Sequence, residues 1–221
     1  MQAGFLPVFK RVSKGTLSML GTMRPVDEFQ QINDDLILWQ GYDPSVKADL
    51  FSTALRAGGE WFFIDPIPLA KAPLAELARL AKPAAVILTN GNHERAAHAF
   101  REKFSVPVLT HEAAIGELSI AVDEQITDGA TLRKGLVAVH LPGAGRGEIA
   151  LHAGRVLAMG DALVNLDQTG FAFLPDKYCE NARQLRQSAR KLLALDFEIM
   201  TFAHGTPIVS GAKSRLENLL A

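Results

Sequence analysis

The order of elements along the chain predicts an α/β (α+β) fold, a four-layer αββα sandwich of two mixed β-sheets flanked by helices. Three observations carry this. Short alternating strands open the chain, a strand-helix-strand unit follows, and a run of glycine-parted strands gives way to helices at the end. A doubly wound sheet would place a helix between most strands, and the second half has no room for them. Residues 23-221 are read as one domain, and residues 1-22 as an N-terminal extension of unknown role, because nothing between 23 and 221 resembles a linker.

Each element follows from its local pattern. Asp35–Trp39 and Ala48–Leu55 read as strands joined by the turn-rich Gly41-Tyr42-Asp43-Pro44-Ser45, and Trp61–Ile64 is apolar enough to be buried on both faces. Leucines 74, 77 and 80 recur at helical spacing until Pro83 stops the helix before the buried strand Ala84–Leu88. The polar turn Thr89–His93 is expected to feed straight into a helix through about Lys103, with Pro107–Leu109 as the next strand and a short helix from about Thr110. Further strands are expected at Gln125-Ile126, Leu136–Leu141, Glu148–Leu151 and Arg155–Ala158, with His152-Ala153-Gly154 as a hairpin tip. A long helix over Asp176–Leu195, the strand Ile199–Phe202 and a terminal helix from about Gly211 complete the order.

Composition narrows the function classes. The 221 residues are 48% apolar and carry a formal charge of -1 with both signs interspersed, so no basic stripe is present to track a nucleic acid. No apolar run approaches the ~20 residues that span a bilayer, and the N-terminal residues lack the unbroken apolar core of a signal peptide. The single cysteine, Cys179, cannot form an internal disulfide, which agrees with a reducing compartment. The expectation is a cytoplasmic protein that binds neither nucleic acid nor membrane, with a homo-oligomer left open.

Chemistry concentrates at three strand ends: Thr89-Asn90-Gly91-Asn92-His93-Glu94-Arg95, Met159-Gly160-Asp161-Ala162 and Ala203-His204-Gly205. With Phe63-Ile64-Asp65-Pro66 and Pro142-Gly143-Ala144-Gly145-Arg146-Gly147 they resemble, in order, the motifs of the metallo-β-lactamase superfamily across roughly residues 32-208. That resemblance implies a metallo-β-lactamase-like sandwich with a two-metal hydrolytic site. It also implies that most ligands are replaced. Asn90 and Asn92 stand at the first two histidine positions of Thr-His-x-His-x-Asp-His, Glu94 at the aspartate, Arg95 at the last histidine and Ala144 at the third metal histidine. Asp161 and His204 alone keep a ligand type.

Zinc needs imidazole, thiolate or carboxylate donors, and a hydrolytic site needs about three of them. The expectation is therefore a degenerate, metal-free site in a non-hydrolytic relative that binds a small polar or anionic ligand, or a protein, through Asn90, Asn92, His93, Glu94 and Arg95. Arg95 would pair with Asp161 and replace the charge of a metal. The alternative keeps one divalent ion on Asp161 and His204, which would then be catalytic toward an ester, thioester or lactone. A structural subunit retained for assembly is the third reading. His93 falls on a position that the resemblance does not assign to metal and is expected to be an exposed or capping imidazole. Glu94 and His98 read as a solvated i,i+4 pair, His111 and His140 as structural histidines near the cleft, and His152 as exposed.

Overall fold

The computed structural model describes residues 23-132 and 135-221, so the expected N-terminal extension lies outside the described residues. Strands β1 (Gln30–Asn33), β2 (Leu36–Asp43), β3 (Ala48–Ala57), β4 (Glu60–Ile64), β5 (Pro83–Leu88), β6 (Val108–His111) and β7 (Glu124–Ile126) form one sheet in sequence order. Antiparallel hairpins build it as far as β4, and β4 through β7 then run parallel. The parallel half needs crossovers, and α1 (Lys71–Leu80) and α2 (Ala97–Phe104) supply the first two. The second sheet comprises β8 (Thr131–Leu132), β9 (Leu136–His140), β10 (Ile149–Ala153), β11 (Val156–Ala158) and β14 (Ile199–Thr201), in the order β14-β11-β10-β9-β8.

The alternation of side chains across each strand divides the apolar residues into three layers. Leu36, Leu38, Leu55, Phe62, Ile64 and Ile87 of the first sheet meet Leu136, Ala138, Ile149, Leu151 and Val156 of the second. Ile37, Trp39, Ala54, Phe63 and Val86, one residue out of step, pack instead against Leu77 and Phe100 of α1 and α2. On the far side Val139, Ala150 and Leu157 face Leu185 of α3 (Ala182–Ser188) and Leu216 of α4 (Ala212–Leu220). This is the αββα sandwich that the sequence predicts. Thr53 Oγ1 donates to Thr201 Oγ1 at 3.0 Å, a buried hydroxyl pair that links the two sheets close to the strand ends that carry the chemistry.

The departures from the sequence reading are local. Strand β2 runs on through Gly41, Tyr42 and Asp43, because its ladder with β3 continues to the Asp43–Ala48 pair. The hairpin β12 (Leu163–Leu166) with β13 (Gly170–Phe173) has only half-buried residues in most of its positions, which is why no clear alternation marked it. The long helix expected over 176-195 is broken into a 3₁₀ turn at Asp176–Tyr178, α3, and a 3₁₀ turn at Ala189–Ala194. Asn181 starts α3 afresh, its side chain accepting from the Gln184 amide. Among the described residues no helix is long and apolar enough to cross a membrane.

Phe62 sits fully buried where the two sheets meet. Phe62→Ala is expected to cost about 3–5 kcal/mol of unfolding free energy, measured by urea denaturation with an unchanged m-value.

Candidate metal centre

Four strands end at one edge of the sandwich, and each end contributes to one cluster. Asp65 follows β4, residues 89-93 follow β5, Asp161 follows β11 and His204 follows β14. The turn after β5 is fixed from below. Thr89 donates its amide to Asp65 Oδ1 at 2.8 Å and its hydroxyl to Asp65 Oδ2 at 2.6 Å. Asn90 Oδ1 then accepts the Asn92 amide at 2.9 Å, closing an Asx turn. The chain does not enter a helix here. It makes turns through Arg95, whose φ is 39°, and α2 begins only at Ala97. The delay folds His93 back beneath the turn.

His93 is therefore buried rather than exposed, which corrects the expectation from the sequence. Its Nδ1 lies 2.9 Å from Asp65 Oδ2 and 2.9 Å from Thr89 Oγ1. The Thr89 hydroxyl hydrogen already goes to Asp65, so the Nδ1 hydrogen of His93 is the one left to donate to the same carboxylate. Its Nε2 is turned on Asp161 Oδ1 at 3.2 Å. His204 hydrogen-bonds the main chain of Asp49 and presents its own Nε2 to the same Asp161 oxygen at 3.4 Å. One ligand atom each from His93, Asp161 and His204 thus lies within 4.8 Å of the others.

With His93 neutral, three acceptors face one another and require a positive charge between them. Among the described residues Asp161 Oδ1 is the only buried side-chain polar atom without a hydrogen-bond partner. A divalent ion of the zinc class fits that position. Metal–ligand bonds of about 2.0–2.1 Å in a tetrahedron put neighbouring ligand atoms about 3.3 Å apart; the two separations from Asp161 Oδ1 are 3.2 and 3.4 Å, and all three atoms lie within 4.8 Å of one another. The carboxylate behind His93 and the main chain behind His204 are the outer partners that metal-bound imidazoles require.

A proton fits the same gap. Burial opposes charge on His93, yet Asp161 and Asp65 outweigh it and push its pKa up to about 9. Burial would likewise raise the pKa of Asp161, but the imidazoles of His93 and His204 hold it well below the usual carboxylate range. His204 goes the other way, lowered by burial to about 4, and stays neutral.

The remaining predicted site residues separate. Asn90 is buried in the cluster, but as a donor, with Nδ2 2.7 Å from Glu148 Oε2 and 3.2 Å from Asp161 Oδ2. Asn92 is exposed. Glu94 points away from the cluster and accepts from the amide and hydroxyl of Ser119. His98 is exposed beside Glu102 rather than Glu94.

Arg95 does not pair with Asp161. Its guanidinium donates to the carbonyls of Phe51 at 2.8 Å, Asp65 at 3.1 Å and Ala203 at 3.5 Å, so it ties β3 to the segments that follow β4 and β14. Its charge still reaches the cluster and helps to hold Asp161 and Asp65 ionised. Ala144 is buried apolar core beside α3. The expected hairpin tip at 152-154 is also displaced, since His152 lies within β10 with Nε2 2.9 Å from the Asp196 carbonyl.

Glu148 was missed. It is a fully buried carboxyl group from the loop between β9 and β10, raised in pKa by burial and by the Asp161 carboxylate, so it takes a proton before Asp161 does. No sequence signal set it apart from the surface glutamates, because it looked like the first residue of a strand.

The sequence model described as the metallo-beta-lactamase superfamily matches residues 30–221. The chain belongs to this superfamily. Solved structures agree on the fold. TMB-1 superposes with a TM-score of 0.69 at 15% identity, covering 89% of this chain and 98% of that one. The DIM-1 metallo-β-lactamase gives 0.68 at 13% identity, with 90% and 97% covered. A metallo-β-lactamase family protein from Thermus thermophilus gives 0.61 at 18% identity, with 86% and 79% covered. No curated protein matches the chain. Within this superfamily fold, the three-residue cluster is assembled with a histidine two positions before the one that the motif alignment would replace by Arg95.

Two outcomes follow from the geometry. Asp65→Asn weakens the acceptor behind His93 Nδ1, and zinc affinity is expected to fall about 10–100-fold in a chelator-competition titration. Separately, the rings of His111 and His140 stack at 3.9 Å across the two sheets. Burial lowers both pKa values, against the opposing pull of Glu112 and Asp128 and, for His140, with the help of His111 and Lys191. Depressed histidine pKa values favour the folded state above the unfolded pKa of about 6.5, and this preference is lost as pH falls below it. Replacing His140 by Phe should therefore flatten the loss of stability between pH 7 and pH 5, measured by urea unfolding at each pH.

Proposed function

We propose that this chain is a single-ion, metal-dependent hydrolase of its superfamily, with His93, Asp161 and His204 as the protein ligands and an ester, thioester or lactone as substrate. The observation that carries the reading is the buried Asp161 Oδ1, without a hydrogen-bond partner and faced by two imidazole Nε2 atoms whose outer nitrogens are already held. Three protein ligands leave a position open, as catalytic sites do and structural ones do not.

When bound, the ion supplies Lewis acidity toward a carbonyl oxygen and toward the water that attacks it. The chain's own groups do the rest. Asp65 holds the His93 ring in the Nδ1–H form and supports the basicity of Nε2. Arg95 ties β3 to the segments that follow β4 and β14 and adds a fixed positive charge near Asp65 and Asp161. With Glu148 protonated, the carboxylates of Asp65 and Asp161, the Arg95 guanidinium and a divalent ion leave the loaded site net positive, which favours an anionic group on the substrate. Asn90 and Asn92 offer amides where a second ion would want imidazoles, so two ions are not expected.

A second reading is favoured by the charge of His93. An imidazolium held between Asp65 and Asp161 neutralises the cluster without a metal, and the chain would then bind a small polar or anionic ligand rather than hydrolyse one. Metal content separates the two. Untagged protein purified without chelator is expected to carry about one equivalent of a transition metal per chain by inductively coupled plasma mass spectrometry. His93→Ala, Asp161→Asn and His204→Ala should each lose it, while the exposed His98→Ala keeps it. Protein that stays metal-free after incubation with zinc, manganese and iron would leave only the protonated, ligand-binding reading standing.

A further inference from the structure

Asp161 has two carboxylate oxygens in different situations. Oδ1 faces the two imidazole Nε2 atoms at 3.2 and 3.4 Å, whereas Oδ2 accepts from Asn90 Nδ2 at 3.2 Å. The orientation of the Asn90 amide is settled independently of Asp161, because its Oδ1 accepts the Asn92 main-chain amide and its nitrogen must point the other way. That nitrogen has a second proton, which it gives to Glu148 Oε2 at 2.7 Å.

Glu148 in turn reaches the other side of Asp161. Its Oε1 accepts the amide of Ala162, the next residue in the chain, at 2.9 Å. The residue before Asp161 is shaped to this carboxyl group as well. A Cβ on Gly160 would lie 2.5 Å from Glu148 Oε1 and 2.5 Å from Thr89 Oγ1. Glu148 is fully buried and belongs to neither β11 nor the turn after β5, so its side chain crosses the cluster only to make these contacts.

We infer that Glu148 and Asn90 are positioning residues for Asp161: together they occupy one carboxylate oxygen and fix the backbone beside it, so that the other oxygen alone is offered to the ion between His93 and His204. The inference rests on the metal-binding reading above. Neither residue is a ligand. Asn90, at a position where the superfamily motif has a metal histidine, acts here as a hydrogen-bond donor, and Glu148 accepts from the same nitrogen and from the Ala162 amide.

The test uses the full chain with zinc and cobalt(II) as probes. Glu148→Gln sets an amide nitrogen or a turned carboxamide against Asn90 Nδ2, and Asn90→Ala removes the donor to Oδ2 while leaving Glu148 on the Ala162 amide. Each is expected to weaken zinc binding about 10–100-fold in a chelator competition. Each should also change the visible absorption of bound cobalt(II), which reports ligand geometry and which a general loss of stability would not move. If Glu148→Gln does not fold, Asn90→Ala decides. Wild-type affinity in the variants, or weaker binding with an unaltered cobalt spectrum, would remove the positioning role and leave the site reading intact. A wild-type chain that binds neither ion would overturn both.

Discussion

The contact between Asp65 and His93 is the constraint on which the rest of the site depends. A buried carboxylate at the end of β4 must be satisfied, and it is satisfied by the Thr89 amide, the Thr89 hydroxyl and the His93 ring, all from the turn after β5. Those bonds hold the two parallel strand ends together and turn His93 inward. With His93 fixed, the unpartnered oxygen of Asp161 and the Nε2 of His204 have a third atom to converge with.

The cluster is joined to the fold through the same strand ends. Arg95, left-handed in φ, bonds carbonyls on β3, after β4 and after β14, so the second sheet is registered against the first at the level of the site. His204 is followed by Gly205, where φ is 105° and a Cβ would collide with the Asn165 carbonyl group. The β12–β13 hairpin thereby presses directly on the loop that presents the second imidazole, and it begins two residues after Asp161. A few residues between 159 and 166 supply the Asp161 carboxylate of the cluster and brace the loop that carries His204.

The charge balance explains why so many motif positions can change without dispersing the cluster. Asp65 and Asp161 are both held ionised, against burial, by the surrounding histidines and Arg95. A proton on His93 or a divalent ion satisfies them equally in kind, though not in chemistry. A permanent guanidinium nearby reduces the charge that any bound ion must supply.

The sequence alone determined the layers. The order of strands, a strand-helix-strand unit with apolar runs at Trp61–Ile64 and Ala84–Leu88, further short strands and then helices fits two stacked sheets with helices outside both. The resemblance to the superfamily also implied that Asp161 and His204 belong together, although 43 residues separate them in sequence. What the sequence left to the tertiary structure was every choice that depends on burial. His93 and Glu148 are, in sequence, an ordinary turn histidine and an ordinary glutamate. Their roles come from a turn that delays its helix and from a loop crossing beneath Asp161, geometries set by long-range hydrogen bonds rather than by local propensity. The pairing of Arg95 was decided the same way, because main-chain carbonyls leave no trace in the identities of the residues that carry them.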